Sequence, residues 1–302
     1  MFMRRILLLA AGLLTGLPAF AQVHSGIKAG LITEARGNVA GQSGQAKPRA
    51  LKKGQQVVPG MVIESAPDSD TVLAFPDGQI GVLGSKGNVR LNNYVYDIVD
   101  PSKNDINLNL IEGNLRVVMG EIGQKNPGAL HLQVGTASVA LQSGSQGVQT
   151  DASLVTVSGA IAVSVQVGRL EVHLPSGQVL AVNAGQTLML SQDGKPELEQ
   201  TAVMMLSLSR SALGLQIQSQ LAESQSFTQV IAEAQAAMAT VNAALKDPAN
   251  AQNSVTQEML AQLEALPSPG QTAAPDSPSL PPATTPSSGA GGGGTPCGAS
   301  CN

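Results

Sequence analysis

From Val155 to Val167 apolar side chains fall on alternate positions: Val155, Val157, Ile161, Val163, Val165 and Val167, with Gly159 the one gap in the set. A period of two belongs to extended backbone, where successive side chains point to opposite faces, so the segment reads as a half-buried strand. After Gly168 the apolar set moves to Leu170, Val172 and Leu174, a change of parity. A one-residue slip flips every side chain, so a turn or bulge is expected at Gly168-Arg169. Pro175-Ser176-Gly177 then turns the chain into Val179–Val182, which reads as a hairpin. The same punctuation recurs at Pro76-Asp77-Gly78, Ser85-Lys86-Gly87 and Glu112-Gly113-Asn114. Strands this short and close, with no helical period between them, predict a mainly β domain of the sandwich, barrel or solenoid kind. Both cysteines, Cys297 and Cys301, lie in the last six residues, so burial and not disulfide bonding must hold that domain together.

Past Pro196 the pattern changes. Phe227, Val230, Ile231, Ala234, Met238, Val241 and Leu245 recur at steps of three and four, one face of an amphipathic helix. Leu206, Leu213, Ile217 and Leu221 extend the stripe upstream, with a weak point at Gly214, and Asp247-Pro248 ends it. A second short helix is expected from Ser254, where Gln257 completes a capping box. Such helices either pack on the β-domain or each other, associate with a partner or a second copy, or lie on a membrane surface. The last use is the least suited to a polar face of Gln, Ser and Glu.

The two ends read differently from the body. Arg4 and Arg5, the apolar run Ile6–Leu17 and Ala19-Phe20-Ala21 have the layout of a secretory signal peptide, and about 12 apolar residues are too few to span a bilayer. Cleavage would leave the chain starting at Gln22, in the periplasm, secreted or at the cell surface, with no integral membrane span. From Pro267 onward Pro, Ser, Thr, Ala and Gly dominate, and such a segment cannot bury enough apolar surface to offset its ordering entropy. The expected organisation is therefore a signal peptide at 1–21, an all-β domain at 22–200, helices at 201–266 and a disordered tail at 267–302.

Few residues carry an obvious chemistry. His24, His131 and His173 have no carboxylate or cysteine at metal-ligand spacing. There is no G-x-S-x-G elbow, and no Gly-rich stretch follows a strand and opens a helix. Asp68 and Asp70 read as solvated loop carboxylates. We expect no enzyme, no cofactor and no metal. Without Arg4 and Arg5 the net charge falls from −4 to about −6, which excludes a nucleic-acid footprint. With no Trp and only two Tyr, a stacking platform is poorly supplied. Two features remain. Lys47, Arg49, Lys52 and Lys53 put four cations in seven residues, suited either to an anionic partner such as lipid head groups or peptidoglycan carboxylates, or to keeping a strand edge solvated. Cys297 and Cys301, on flexible chain, can close a small strained disulfide loop, bind a soft metal weakly, cross-link or attach covalently to another chain, or serve processing or no function.

Residues 32–190 carry an ordered set of short motifs. Gly37-Asn38-Val39 opens it, and Leu51, Gly54, Val57, Gly60 and Ile63 form an L-x-x-G-x-x-[VL]-x-x-G-x-x-I string. Leu73 to Ile80 reads as a strand running into a D-G turn, and Leu110, Gly113, Leu115 and Val117 match L-x-x-G-x-[LV]-x-V. Val134 and Thr136 fit a V-x-T strand, Val165, Gly168, Leu170 and Val172 fit V-x-x-G-x-[LV]-x-V, and Ala184-Gly185-Gln186 forms a closing A-G-Q. In this order the set resembles the FecR domain. Where that family has R-G-T, this chain has Ser143-Gly144-Ser145, so recognition that depends on that arginine is not carried over.

The resemblance implies an extracytoplasmic all-β domain that engages a ligand or partner. In the best-known members it is the periplasmic half of a transmembrane regulator that relays iron-siderophore signals to an extracytoplasmic-function sigma factor. A chain with a signal peptide in place of that membrane helix is expected to act as a non-catalytic binding or assembly module in the envelope. The β-domain would hold an envelope protein or glycan, and helices 201–266 would dock or self-associate. The alternative is a periplasmic sensor component working through another membrane protein. An enzyme acting on envelope polymers is a third and disfavoured use.

Overall fold

The computed structural model describes residues 27–142 and 149–246. All of these belong to one of the chain's two units, Met1–Pro269, and the other, Gly270–Asn302, lies outside the described residues. So do the expected signal peptide, Ser143-Gly144-Ser145, the expected helix at Ser254, and Cys297 and Cys301.

The described chain is mainly β. In order it forms β1 (Gly30–Arg36), β2 (Val39–Ser43), β3 (Arg49–Ala50), β4 (Gln56–Val57), β5 (Met61–Ser65), β6 (Asp70–Ala74), β7 (Ile80–Leu83), β8 (Asn88–Val95) and β9 (Asp105–Val118). A short helix α1 (Glu121–Lys125) precedes β10 (Leu130–Val134), β11 (Ala137–Gln142), β12 (Asp151–Val157) and β13 (Ala160–Val167). Then come β14 (Arg169–His173), β15 (Val179–Asn183), β16 (Gln186–Leu190) and β17 (Pro196–Gln200). Three helices end the described chain: α2 (Thr201–Leu208), α3 (Ala212–Ser226) and α4 (Thr228–Lys246).

These strands make two sheets that share β9. One runs β4-β1-β6-β7-β9-β12-β13-β16-β17 and is antiparallel throughout. The other runs β3-β2-β5-β8-β9-β10-β11-β14-β15, with β9 and β10 its parallel pair. The first half of β9 pairs with β8 and β10, the second half with β7 and β12. The change of sheet falls at Glu112-Gly113-Asn114, expected as a turn between strands. The correction is that the segment lies inside one strand, which crosses over at Gly113 with φ +89°. Only glycine holds that conformation cheaply.

The sheets pack face to face on an apolar core in which Leu115, Leu154, Val163 and Leu188 of one meet Leu91, Leu108, Val139 and Val172 of the other. Gly168 is where the chain leaves β13 in the first sheet for β14 in the second, so the parity change marks a change of sheet. A second correction concerns Val155–Val167. It is not one strand but two, β12 and β13, joined at Ser158 and Gly159 with φ of 49° and 83°. A two-residue turn of that kind keeps cross-strand partners on one face, so Val157 sits opposite Ala160 and both face away from the central core.

That outer face of the first sheet is covered as well. Val72, Ala74, Ile80, Val82 and Val118 pack under Phe227, Ile231, Ala234 and Met238 of the α4 segment. Val155, Val157, Ala160 and Ala162 pack under Met204, Leu208, Ile217 and Leu221 of α2 and α3. The helices thus dock on the β-domain through these side chains. Leu206 does not belong to it: it is 70% exposed, and Met204 and Leu208 take the inward positions. Gly214 is no weak point either. It lies in the first turn of α3, its N–H donates to the Ser211 side chain at 2.9 Å, and a Cβ there would sit 2.0 Å from the Leu208 carbonyl oxygen. Its lack of a side chain lets the end of α2 pack on the start of α3.

Between the two apolar patches runs a polar row in register across four strands: Arg116, Ser153, Ser164 and Thr187. Ser164 accepts from Thr187 at 3.0 Å, and Ser153 accepts from Ser224 of α3 at 2.7 Å. Buried polar groups cost little when each finds a partner, and here the partners set the position of the α3–α4 junction.

Candidate functional site

The basic segment 47–53 bridges from β2 towards β4. Its anchor is Leu51, buried in the central core, whose N–H donates to the Val39 carbonyl at 2.8 Å. The flanks are tied down too: Ala50 pairs with Ala40, the Lys52 N–H donates to Gln55 Oε1 at 2.8 Å, and the Gly54 N–H to the Ile32 carbonyl at 2.7 Å. Held by its backbone and one leucine, the segment leaves its charged side chains outside.

Arg49, Lys52 and Lys53 line an open concavity of about 560 Å³ whose other walls include Asn38, Pro48 and Glu64. Lys47 is exposed but does not line it. Among the described residues no ion pair holds any of the four cations. Glu64 accepts a hydrogen bond from Asn88 Nδ2 at 3.1 Å. The structure therefore brings three of the four expected residues to one wall, uncommitted, against one carboxylate.

Lys53 has a second setting. It also lines a smaller groove of about 280 Å³ with Leu31, Glu34, Val230, Glu233 and Ala234, between β1 and α4. The concavity and the docked helix meet at this one side chain.

His24 lies outside the described residues, and the other two histidines stand apart. His131 lies on the outer face of the second sheet, its Nε2 3.4 Å from Asp105 Oδ1, and His173 is exposed two strands further on. Among the described residues no group of His, Cys, Asp or Glu is placed to hold a metal ion. Of the two loop carboxylates, Asp70 instead opens β6, 3.5 Å from Arg36 Nε, and burial raises its pKa above the ordinary value.

Two buried ionisable arrangements were not foreseen. Asp77, in the turn after Phe75, is fully buried; its carboxylate accepts from Tyr94 Oη at 3.2 Å, from the Gln79 N–H at 3.3 Å and from the Ile122 N–H at 3.4 Å. Loss of water outweighs these donors and pushes its pKa up to about 6. Burial also holds the Tyr94 hydroxyl well above its ordinary value. The D-G dipeptide marks the turn in the sequence, but nothing local says that its aspartate points inward. The second arrangement is the ion pair of Arg116 with Asp151 beneath the helices.

No family model and no curated protein matches the chain. No helix among the described residues is long and apolar enough to cross a membrane. Among solved structures the chain is similar to a "putative anti-sigma factor" from Parabacteroides distasonis, at 14% identity over 50% of this chain and 65% of that one, with a TM-score of 0.36. A second crystal structure of that description matches at 17% identity over 49% and 62%, again with a TM-score of 0.36, so the chain covers less than two thirds of either neighbour.

Proposed function

We propose that this chain is an exported, non-catalytic module of the FecR type, acting outside the inner membrane, that takes an anionic partner at Arg49, Lys52 and Lys53 with Lys47 beside them. The observation that carries this is the convergence of three unpaired cations on one concave wall whose backbone is fixed. Exposed cations cost little to keep and gain most when a polyanion reaches several at once, so the partner is an anionic envelope polymer or an acidic protein surface.

For the use of that binding we put a sensor component ahead of an assembly module. Lys53 faces both the concavity and α4, so an occupant that draws it in alters the surroundings of Glu233 on the docked helix. The description of the two structural neighbours is in keeping with this use. The test is co-sedimentation of the full chain with intact peptidoglycan sacculi and, separately, binding to poly-glutamate over a range of salt. Binding that weakens steeply with salt and is lost when Lys47, Arg49, Lys52 and Lys53 are all changed to Glu supports the reading. Binding undiminished in that variant, or none to either probe, sinks it. A sensor further requires that occupancy change amide exchange in α4; an assembly module does not.

A further inference from the structure

A sheet edge presents unpaired N–H and C=O groups that recruit another strand unless something blocks them. Among the described residues the two sheets end in four strands. β3 and β4 are two residues long, and β17 begins with Pro196 and carries Glu197 and Glu199. β15 differs: Val179-Leu180-Ala181-Val182-Asn183 has five residues, no charge, no proline and an unbroken register with β14.

The phase of its ladder is fixed at both ends. The Leu174 N–H donates to the Gln178 carbonyl at 2.9 Å, and the Ala184 N–H to the Gly168 carbonyl at 3.1 Å. Bonding alternates along an antiparallel pair, so Leu180 and Val182 bond to β14 while Val179, Ala181 and Asn183 turn their backbone groups to the open side. The Asn183 N–H is taken by Gln186 Oε1 at 3.0 Å. Val179 and Ala181 have no such partner among the described residues.

The strand is also complementary to itself. A two-fold axis at Ala181 sets Ala181 against Ala181 of a second copy, where neither side chain has bulk to clash. On the core side it sets Leu180, half-buried at the margin of the central core, opposite Val182 of the second copy. On the outer side Val179, 49% exposed, meets Asn183 of the second copy. No charged side chain lies on the strand, and Arg169, Glu171 and His173 stand one strand back. We propose that β15 pairs antiparallel with β15 of a second copy of this chain, making an isologous dimer through a continuous sheet. The contact is short, so the dimer is a weak and reversible one.

The test is sedimentation of the full chain from about 1 to about 500 µM, kept reduced so that Cys297 and Cys301 cannot cross-link, the span over which a small interface dissociates. A reversible monomer–dimer equilibrium is expected. Ala181→Lys sets two ammonium groups face to face at the axis, and should weaken the dimer at least about tenfold. Ala181→Pro removes an N–H that points outward, and so spares the bonds to β14. If the proline variant does not fold, the lysine variant decides together with amide exchange of Ala181 in the unchanged chain, which should slow as concentration rises. A monomer throughout the range, or a dimer indifferent to Ala181→Lys, overturns the proposal.

Discussion

Arg116 of β9 and Asp151 of β12 form a two-pronged ion pair, Nε to Oδ1 at 2.9 Å and Nη2 to Oδ2 at 2.7 Å. The remaining guanidinium nitrogen donates to the Ser224 and Gln225 carbonyls and to Thr228 Oγ1, at 3.1, 3.3 and 3.0 Å. Those are the last carbonyls of α3 and the start of α4, so one side chain, 4% exposed, ties two strands to a helix junction. Cations at a helix C-terminus are favourable, and guanidinium alone offers this fork.

Removing the arginine leaves a largely buried carboxylate and several carbonyls without their donor. Arg116→Met should therefore cost about 3 to 5 kcal/mol, the usual penalty for stranding half of a buried pair. Arg116→Met with Asp151→Leu should recover part of that loss, because no charge is then stranded. Urea denaturation of the single and double variants checks this. A single variant as stable as the parent would mean the pair does not hold the helices.

Asp77 predicts a pH dependence of known sign. Its folded-state pKa, about 6, lies above the ordinary 3.8, so between these values the folded protein holds a proton that the unfolded chain has released. Stability then falls as pH rises from about 4 to about 6 and levels off above, by on the order of 3 kcal/mol in all. Asp77→Asn should flatten that slope whatever its effect on absolute stability. Urea midpoints at stepped pH check it, and an unchanged slope in the variant would show that another group titrates.

Gly113 is constrained twice over. Its φ of +89° is one that a Cβ resists, and a Cβ there would lie 2.5 Å from Gly87 Cα and 2.8 Å from the Lys86 carbonyl oxygen. Both neighbours are backbone and cannot rotate away. Gly113→Ala should destabilise by about 2 to 4 kcal/mol, whereas Gly177→Ala, at a φ of +83° in open space, should cost about 1 kcal/mol. Thermal unfolding of the pair separates the cost of φ from the cost of crowding.

The β character of the domain was legible because strand periodicity is local, and so was the hairpin at Pro175-Ser176-Gly177. Which sheet a strand joins was not. Glu112-Gly113-Asn114 looks like any other turn because a glycine at positive φ serves a hairpin and a sheet crossing alike. Ser158-Gly159 went unseen for a related reason: both faces of the first sheet are buried, so Val155 and Val157 look the same as Ile161 and Val163. Of the candidate site, the cations could be read from spacing, but the fixed backbone behind them depends on Val39 and Ile32, distant in sequence. The inward turn of Asp77 depends on Tyr94 and Ile122 in the same way.

The helical stripe offers the sharpest contrast between spacing and packing. Leu206 and Leu221 look equivalent in the sequence, yet Leu206 is 70% exposed and Leu221 wholly buried against Val155, Ala160 and their neighbours. A single continuous helix would put both on one face. The break at Ser209–Ser211 resets the phase, and Met204 and Leu208 turn inward in place of Leu206. Leu221→Ala should cost about 2 to 5 kcal/mol through lost burial and the cavity left behind, while Leu206→Ala should change stability by less than about 0.5 kcal/mol. Equal losses for the two would mean that α2 and α3 dock in a different phase. The comparison also reads out docking itself, since Leu221 has nothing to lose if α3 stands away from the sheet.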